Sequence, residues 1–376
     1  MSTSGDSPWQ QILRRFRKNK AAMAGWYAII LSFLLALFTY LIVPDQTPLS
    51  NRMSLPLSNQ SPGFSVSMIK LPMKSTEESN LLEWTLFGKE DPYEWIPVSA
   101  YRLADSGIYY REYAGDADLS VIPEKFIDFG AFNGNGSGEE IKEYIVSRTF
   151  LFGTDRFGRD MLSRLITGTR VTLGVGLLAV IISLFIGIVL GSVAGFFRGW
   201  IDSAIVWLIN VVWSIPTLLL VIAITLVLGK GFEQVFIAVG LTMWVDVARI
   251  VRGQLFSIRE LEFVSAGRAM GFGNLRIIGR HMLPNIMGPV LVIAAANFST
   301  AILLEAGLSF LGIGAQPPTP SWGAMIKENY GYIIIPGRAY LAILPGLAIM
   351  LLTVAFTFVA NGLRDAMDAR AQVTLV

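Results

Sequence analysis

The sequence predicts an all-α membrane protein of six transmembrane helices, with an insertion of mixed α/β or β structure between the first span and the second. Three observations carry this prediction. Of the 376 residues, 53% are hydrophobic and only 15% charged, against about 25% charged in a typical soluble chain. The mean hydropathy is +0.54. Six apolar runs, at residues 21–43, 171–197, 201–228, 235–251, 286–311 and 339–361, reach the roughly 17–25 residues that cross a bilayer as a helix. Residues 44–150 hold no such run; prolines, acids, amides and aromatics appear there in short stretches.

The elements follow in chain order. In residues 1–20, Trp9, Ile12, Leu13 and Phe16 recur at helical spacing while Arg14, Arg15, Arg17 and Lys18 fill the other positions. This fits a helix lying in the membrane interface, and equally a solvated basic tail that sets topology. The run 21–43 exceeds the about 7–15 residues of a signal-peptide core, and Pro44-Asp45-Gln46 offers no small-x-small cleavage site, so it is expected to be a retained span. Within 44–150, Trp95-Ile96-Pro97-Val98 and the stretch from Ile108 to Tyr113 read as short strands. Asn133 to Gly138 reads as a flexible loop. The segment is long enough to carry a modest core of its own.

Residues 151–365 are expected to hold the other five spans, with a short tail at 366–376. Six crossings that begin inside place both termini in the cytoplasm and 44–150 outside. The charge distribution agrees with the positive-inside rule: Arg249, Arg252, Arg259, Arg268, Arg276 and Arg280 crowd the stretch 249–284, whereas the outer loop 229–234 holds one Lys and one Glu. Arg148, Arg156, Arg159, Arg164 and Arg170 fall on the outer side, with Asp155 and Asp160 available as partners. Long outer segments translocate largely regardless of charge.

Composition also excludes. Cys is absent, which removes disulfides, thiolate metal sites and thiol nucleophiles. A single histidine, His281, removes His-based triads and paired-His zinc sites. No catalytic residue, metal site or cofactor is expected, and the lack of a G-x-x-x-x-G-K-[ST] loop means that ATP is not held here in the usual way. A net charge of +2 gives no bulk basic field for nucleic acid. The spans carry few ionisable groups; Asp202, Asp246 and Glu305 read as interface or packing residues near span ends, which argues against a proton-coupled carrier. A sensor would be expected to end in a sizeable output domain, and few residues follow Asn361. Gly187, Gly191 and Gly195 put small residues on one helix face, for packing within the chain or against another subunit. Pro216 and Pro289 are candidate kinks.

The stretch 262–284 carries the functional signal. Phe263, Val264, Ala266, Gly267, Ala269 and Met270 predict a short helix with a small, apolar exposed face, beginning at Glu262 and broken at Gly271. A second, basic helix containing Leu275, Ile277 and Ile278 follows, and Pro284 is expected to end it before the next span. Such a helix-turn-helix suits a groove on a partner protein.

This stretch resembles the coupling motif of ATP-binding-cassette importer permeases, in which an Ala-rich helix, a Gly four residues after the second of two alanines, and a later Leu-Pro dock into the ATPase. The alanines align with Ala266 and Gly267, the glycine with Gly271 and the Leu-Pro with Leu283-Pro284; the usual Glu falls on Ser265. The resemblance therefore assigns ATPase coupling to Glu262, Phe263, Ser265, Ala266, Gly267, Ala269, Gly271, Leu283 and Pro284. Further blocks resemble the second permease of the dipeptide, oligopeptide and nickel group: the stretch from Phe152 to Arg164, His281 to Asn285, Glu305 to Gly312, and Gln316 to Gly323. The likeness covers about residues 150–370 and says little of 44–150. It implies the fold of a type I importer permease in a bacterial plasma (inner) membrane, a homologous second permease, two separate ATPase subunits and an extracytoplasmic solute-binding protein. ATP-driven closure of the ATPases would rock the permeases between inward-facing and outward-facing states. Peptides, nickel chelates and oligosaccharides remain open as the solute, and the residues of the path are unknown.

Overall fold

The structure, a computed structural model, describes residues 8–73, 80–115, 121–132 and 140–367. The loop expected at Asn133 to Gly138 and the end of the tail expected at 366–376 lie outside the described residues.

An amphipathic helix α1 (Pro8–Lys18) leads into α2 (Lys20–Leu37), the first long apolar helix. Asn19 makes the joint: its Oδ1 accepts the Ala22 N–H at 3.1 Å, satisfying one of the open donors at the start of α2. After the short α3 (Thr39–Ile42) comes the insertion, which contains α4 (Leu81–Phe87) and strands β1 (Phe64–Pro72), β2 (Tyr93–Leu103), β3 (Gly107–Glu112), β4 (Lys125–Asp128) and β5 (Ile145–Phe150). The long helices follow: α5 (Met161–Phe197), α6 (Gly199–Trp213), α7 (Thr217–Leu228) and α8 (Phe232–Ile258). Then come α9 (Glu262–Ala269), α10 (Asn274–Arg276), α11 (Leu283–Leu311), α12 (Trp322–Asn329) and α13 (Tyr340–Met367). Among the described residues, five stretches are long and apolar enough to cross a membrane, and a sixth exists if α6 and α7 form one bent span.

Two differences from the expected helices have local causes. The run 201–228 is not one straight helix: α6 and α7 meet at 90° around Ser214-Ile215-Pro216. Pro216 has no N–H to continue the ladder and its ring excludes the preceding turn, so a new helix starts after it. The helix that carries the second apolar run begins before residue 171, at Met161.

The chain divides into two compact units, Met1–Phe33 with Val171–Gln316 and Gly346–Val376, and Leu34–Arg170 with Pro317–Pro345. In the first unit, close helix contacts rest on small residues. A Cβ on Gly187 would lie 2.5 Å from Val247 Cβ, one on Gly191 2.6 Å from the Ala248 carbonyl oxygen, and one on Gly195 2.9 Å from Leu255 Cβ. The glycine face of α5 therefore packs within the chain, on α8. Gly25 meets the Ala355 carbonyl in the same way, seating α2 on α13. Glu305, near the end of α11, is buried as a packing residue and accepts from Ser309 Oγ at 2.7 Å and Thr172 Oγ1 at 3.5 Å. Asp202 and Arg252 pair two-pronged between α6 and α8, with Nε to Oδ1 at 2.5 Å and Nη2 to Oδ2 at 2.7 Å.

In the second unit the five strands form an antiparallel sheet of order β4-β3-β2-β1-β5. Strands β2 and β3 contain the two segments legible in the sequence. Alternating side chains split its apolar residues between two clusters, one around Ile69, Val98, Ile108 and Phe132 and one around Leu57, Val66, Met68 and Phe150. The stretch before α5 is a tight turn. Asp155 Oδ1 accepts the N–H groups of Phe157 and Arg159 at 2.9 and 3.0 Å, and a Cβ on Gly158 would strike the Ser54 carbonyl. Arg159 and Arg164 are buried against Asp155 and Glu328. Asp160 accepts from the Ser163 N–H and hydroxyl and feels the Arg148 charge, and burial pushes its carboxyl above the usual range.

Candidate functional site

The site is the hairpin that follows α8. α8 ends at Ile258, and the chain turns through Arg259-Glu260-Leu261 into α9. α9 closes with the hydrogen bonds of a Schellman motif: Phe272 N–H donates to the Gly267 carbonyl at 3.0 Å and Gly271 N–H to that of Arg268 at 2.9 Å. That geometry needs a left-handed residue, and Gly271 supplies it at φ +75°. The break expected at Gly271 is thus present.

The hairpin is seated by a continuous apolar core. Val264 from α9, Ile277, Ile278 and Met282 from the second arm, and Val251 and Leu255 from α8 cluster with Phe196 and Ile286. Arg259 and Arg268 lie over the Phe196 ring at 5.7 and 5.3 Å, one from each side of the turn in sequence. Burial, with Arg198 and Arg268 near by, lowers the Arg259 proton affinity below the usual arginine range. Arg198 reaches Glu260 at 2.5 Å.

Two expectations for the hairpin are corrected. Gly267, placed on the exposed face by sequence, is buried, as is Val264. A Cβ on Gly267 would stand 3.6 Å from Phe272 and 3.8 Å from Ile277, so this position faces the second arm. The helix has only eight residues and Val264 must cover the core, which carries Gly267, three positions on, inward with it. Pro284 does not end the second arm either. The chain from α10 runs through a π-helical turn, Ile277–Met282, directly into α11, with Leu283 N–H donating to the Ile278 carbonyl. A proline ring collides with the carbonyl four residues back in a regular helix; the wider i to i+5 turn offers room for it, and Pro284 sits in the first turn of α11, where its missing donor is tolerated.

The remaining candidate residues share the open side. Glu262, Phe263, Ser265, Ala266, Ala269, Gly271 and Pro284 are exposed, and Leu283 is half-buried. Around them stand large apolar side chains: Met270 is 64% and Leu275 85% exposed, with Leu261 also open. Leu275 belongs to this surface, and sequence reasoning did not count it among the candidate residues. Its one signal was an apolar side chain between Asn274 and Arg276 in the second, basic helix. Among the described residues no group of His, Asp or Glu could hold a metal ion. The arrangement offers shape and apolar contact, with no cluster suited to bond-making chemistry.

The sequence has close relatives. Residues 187–373 match the family described as the binding-protein-dependent transport system inner membrane component, and residues 7–62 the N-terminal TM domain of oligopeptide transport permease C. The dipeptide transport system permease protein DppC of Alkalihalophilus pseudofirmus is 41% identical over 219 residues, 58% of this chain and 71% of the relative. The chain belongs to this family of permeases. The glutathione transport system permease protein GsiD of Pectobacterium atrosepticum is 38% identical to the permease over 218 residues, 58% of this chain and 72% of that one. A solved structure described as inward-facing conformations of the MetNI methionine ABC transporter shares 20% identity with it at a TM-score of 0.45, covering 55% of this chain and 97% of the other. The permease is thus a multi-pass integral membrane protein and a subunit of an ATP-binding-cassette importer.

Proposed function

We propose that the permease carries small peptides across a bacterial inner membrane by alternating access, driven by two ATPase subunits, one of which docks on the hairpin 262–284. The observation that carries the coupling role is the hairpin's open face, on which Ala266 and Ala269 stand among exposed Phe263, Met270 and Leu275. Apolar side chains of this size, exposed outside the long apolar helices and beside small residues, favour a partner's groove. Peptide cargo is favoured by the two relatives, one named for dipeptides and one for glutathione, itself a tripeptide.

The full assembly in this reading adds a homologous second permease and an extracytoplasmic solute-binding protein. α6 and α7 count as one bent span, giving six; both termini are cytoplasmic and the five-stranded sheet is outside, where the binding protein arrives. The permease makes no bond itself, and ATP hydrolysis belongs to its partners.

The test is solute-dependent ATP hydrolysis by the complete complex in vesicles, with its binding protein present. Di- and tripeptides should stimulate it. Stimulation by a nickel chelate or an oligosaccharide, with none by peptides, would refute the cargo and leave the coupling role standing.

A further inference from the structure

Beside the transport machinery, α1 and α2 enclose a groove of about 610 Å3, within the about 300–1,000 Å3 typical of ligand sites. Its lining is apolar and aromatic, with Trp9, Leu13, Phe16 and Trp26 among the contributors, closed on one side by Val359 and Leu363 of α13. One charged side chain lines it, Arg17. Arg14, Arg15, Lys18 and Lys20 follow along the same short stretch, and no acidic residue occurs anywhere in residues 8–43. Asp365, at the end of α13, is engaged by Asn19 Nδ2 at 3.5 Å.

We propose that this groove binds one anionic phospholipid, an acyl chain lying against Trp9, Phe16 and Trp26 and the phosphate meeting Arg17. Two features select this occupant. The floor is apolar enough for hydrocarbon, while Arg17 lines the groove and the single carboxylate near by, Asp365, faces five basic residues between Arg14 and Lys20, so a net positive field remains that a zwitterionic headgroup would leave unanswered. Trp9, Trp26 and Tyr27 are partly exposed at the rim, as aromatic side chains are where hydrocarbon gives way to headgroups. The proposal goes beyond transport: it concerns a fixed lipid on the outer surface of the bundle and stands whichever solute is carried and whichever leaflet α1 faces.

The complete complex in nanodiscs supplies the test. Fluorescence of Trp9 and Trp26, isolated by subtracting the Trp9→Phe/Trp26→Phe variant, is titrated with brominated phosphatidylglycerol or brominated phosphatidylcholine. The expected result is half-quenching at a several-fold lower mole fraction of the anionic lipid. That preference should fall roughly fivefold in Arg17→Gln and return in Arg17→Lys. Equal quenching by both lipids would overturn the proposal in favour of unselective bulk lipid. No quenching by either would overturn it in favour of a protein occupant, such as residues 1–7 or a second chain.

Discussion

Arg159 and Glu328, distant in sequence, meet at 2.8 Å between Nη2 and Oε2, with Arg159 almost wholly buried. Arg164 and Asp155 complete the group, so two cations face two anions. Glu328→Gln leaves both guanidiniums with Asp155 alone and should destabilise the permease by about 3–5 kcal/mol. Thermal unfolding in detergent will read this; an unchanged midpoint would mean that the pair adds nothing.

The glycine face of α5 predicts a contrast. Gly191→Ala drives a methyl to 2.6 Å from the Ala248 carbonyl and should cost about 1–3 kcal/mol. Gly253→Ala meets no atom within 4 Å and should be neutral or slightly stabilising. Equal melting temperatures for the two variants would refute the close α5–α8 contact.

For the hairpin, the two faces separate docking from folding. Ala266→Glu and Leu275→Glu should release the ATPase subunits in co-purification while the permease keeps its melting temperature, since both side chains are open. Gly271→Ala should instead lower stability by about 1 kcal/mol or more, because φ +75° is strained for any residue with a Cβ. Retention of both ATPases and of stimulated hydrolysis in Ala266→Glu would move the coupling surface elsewhere.

Topology is open to a clean experiment, because the chain has no native Cys. Ser99→Cys, exposed on β2, should react with a membrane-impermeant thiol reagent in intact cells, and Ser265→Cys should react only after permeabilisation. The reverse pattern would invert the proposed orientation.

How far the sequence reached follows from which interactions are local. The long helices were legible because a bilayer demands unbroken apolar runs, and Gly271 because a left-handed cap demands glycine. Pro216 was legible as a kink candidate, but the size of the turn was not, since a proline marks a break without setting the angle. β1 and β5 escaped notice: Ser65, Ser67 and Lys70 dilute the apolar residues of β1, and its pairing with Thr149 and Arg148 joins segments far apart in the chain. Glu328 escaped for the same reason. Gly267 was misplaced because a residue without a side chain fits either face of a helix, and only the core around Val264 decides which.

The shared membership of Leu255 has a mechanical consequence. This residue belongs to the core that seats the hairpin, and its Cβ also lies 2.9 Å from the point where a methyl on Gly195 would stand. Val251 does the same at Gly191. Hairpin, α8 and α5 are therefore joined without a compliant layer, and close-packed interiors deform little. If a partner docks at Ala266 as proposed, its push meets the core of Val264, Leu255 and Val251 before the glycines of α5, and the three elements are expected to shift together.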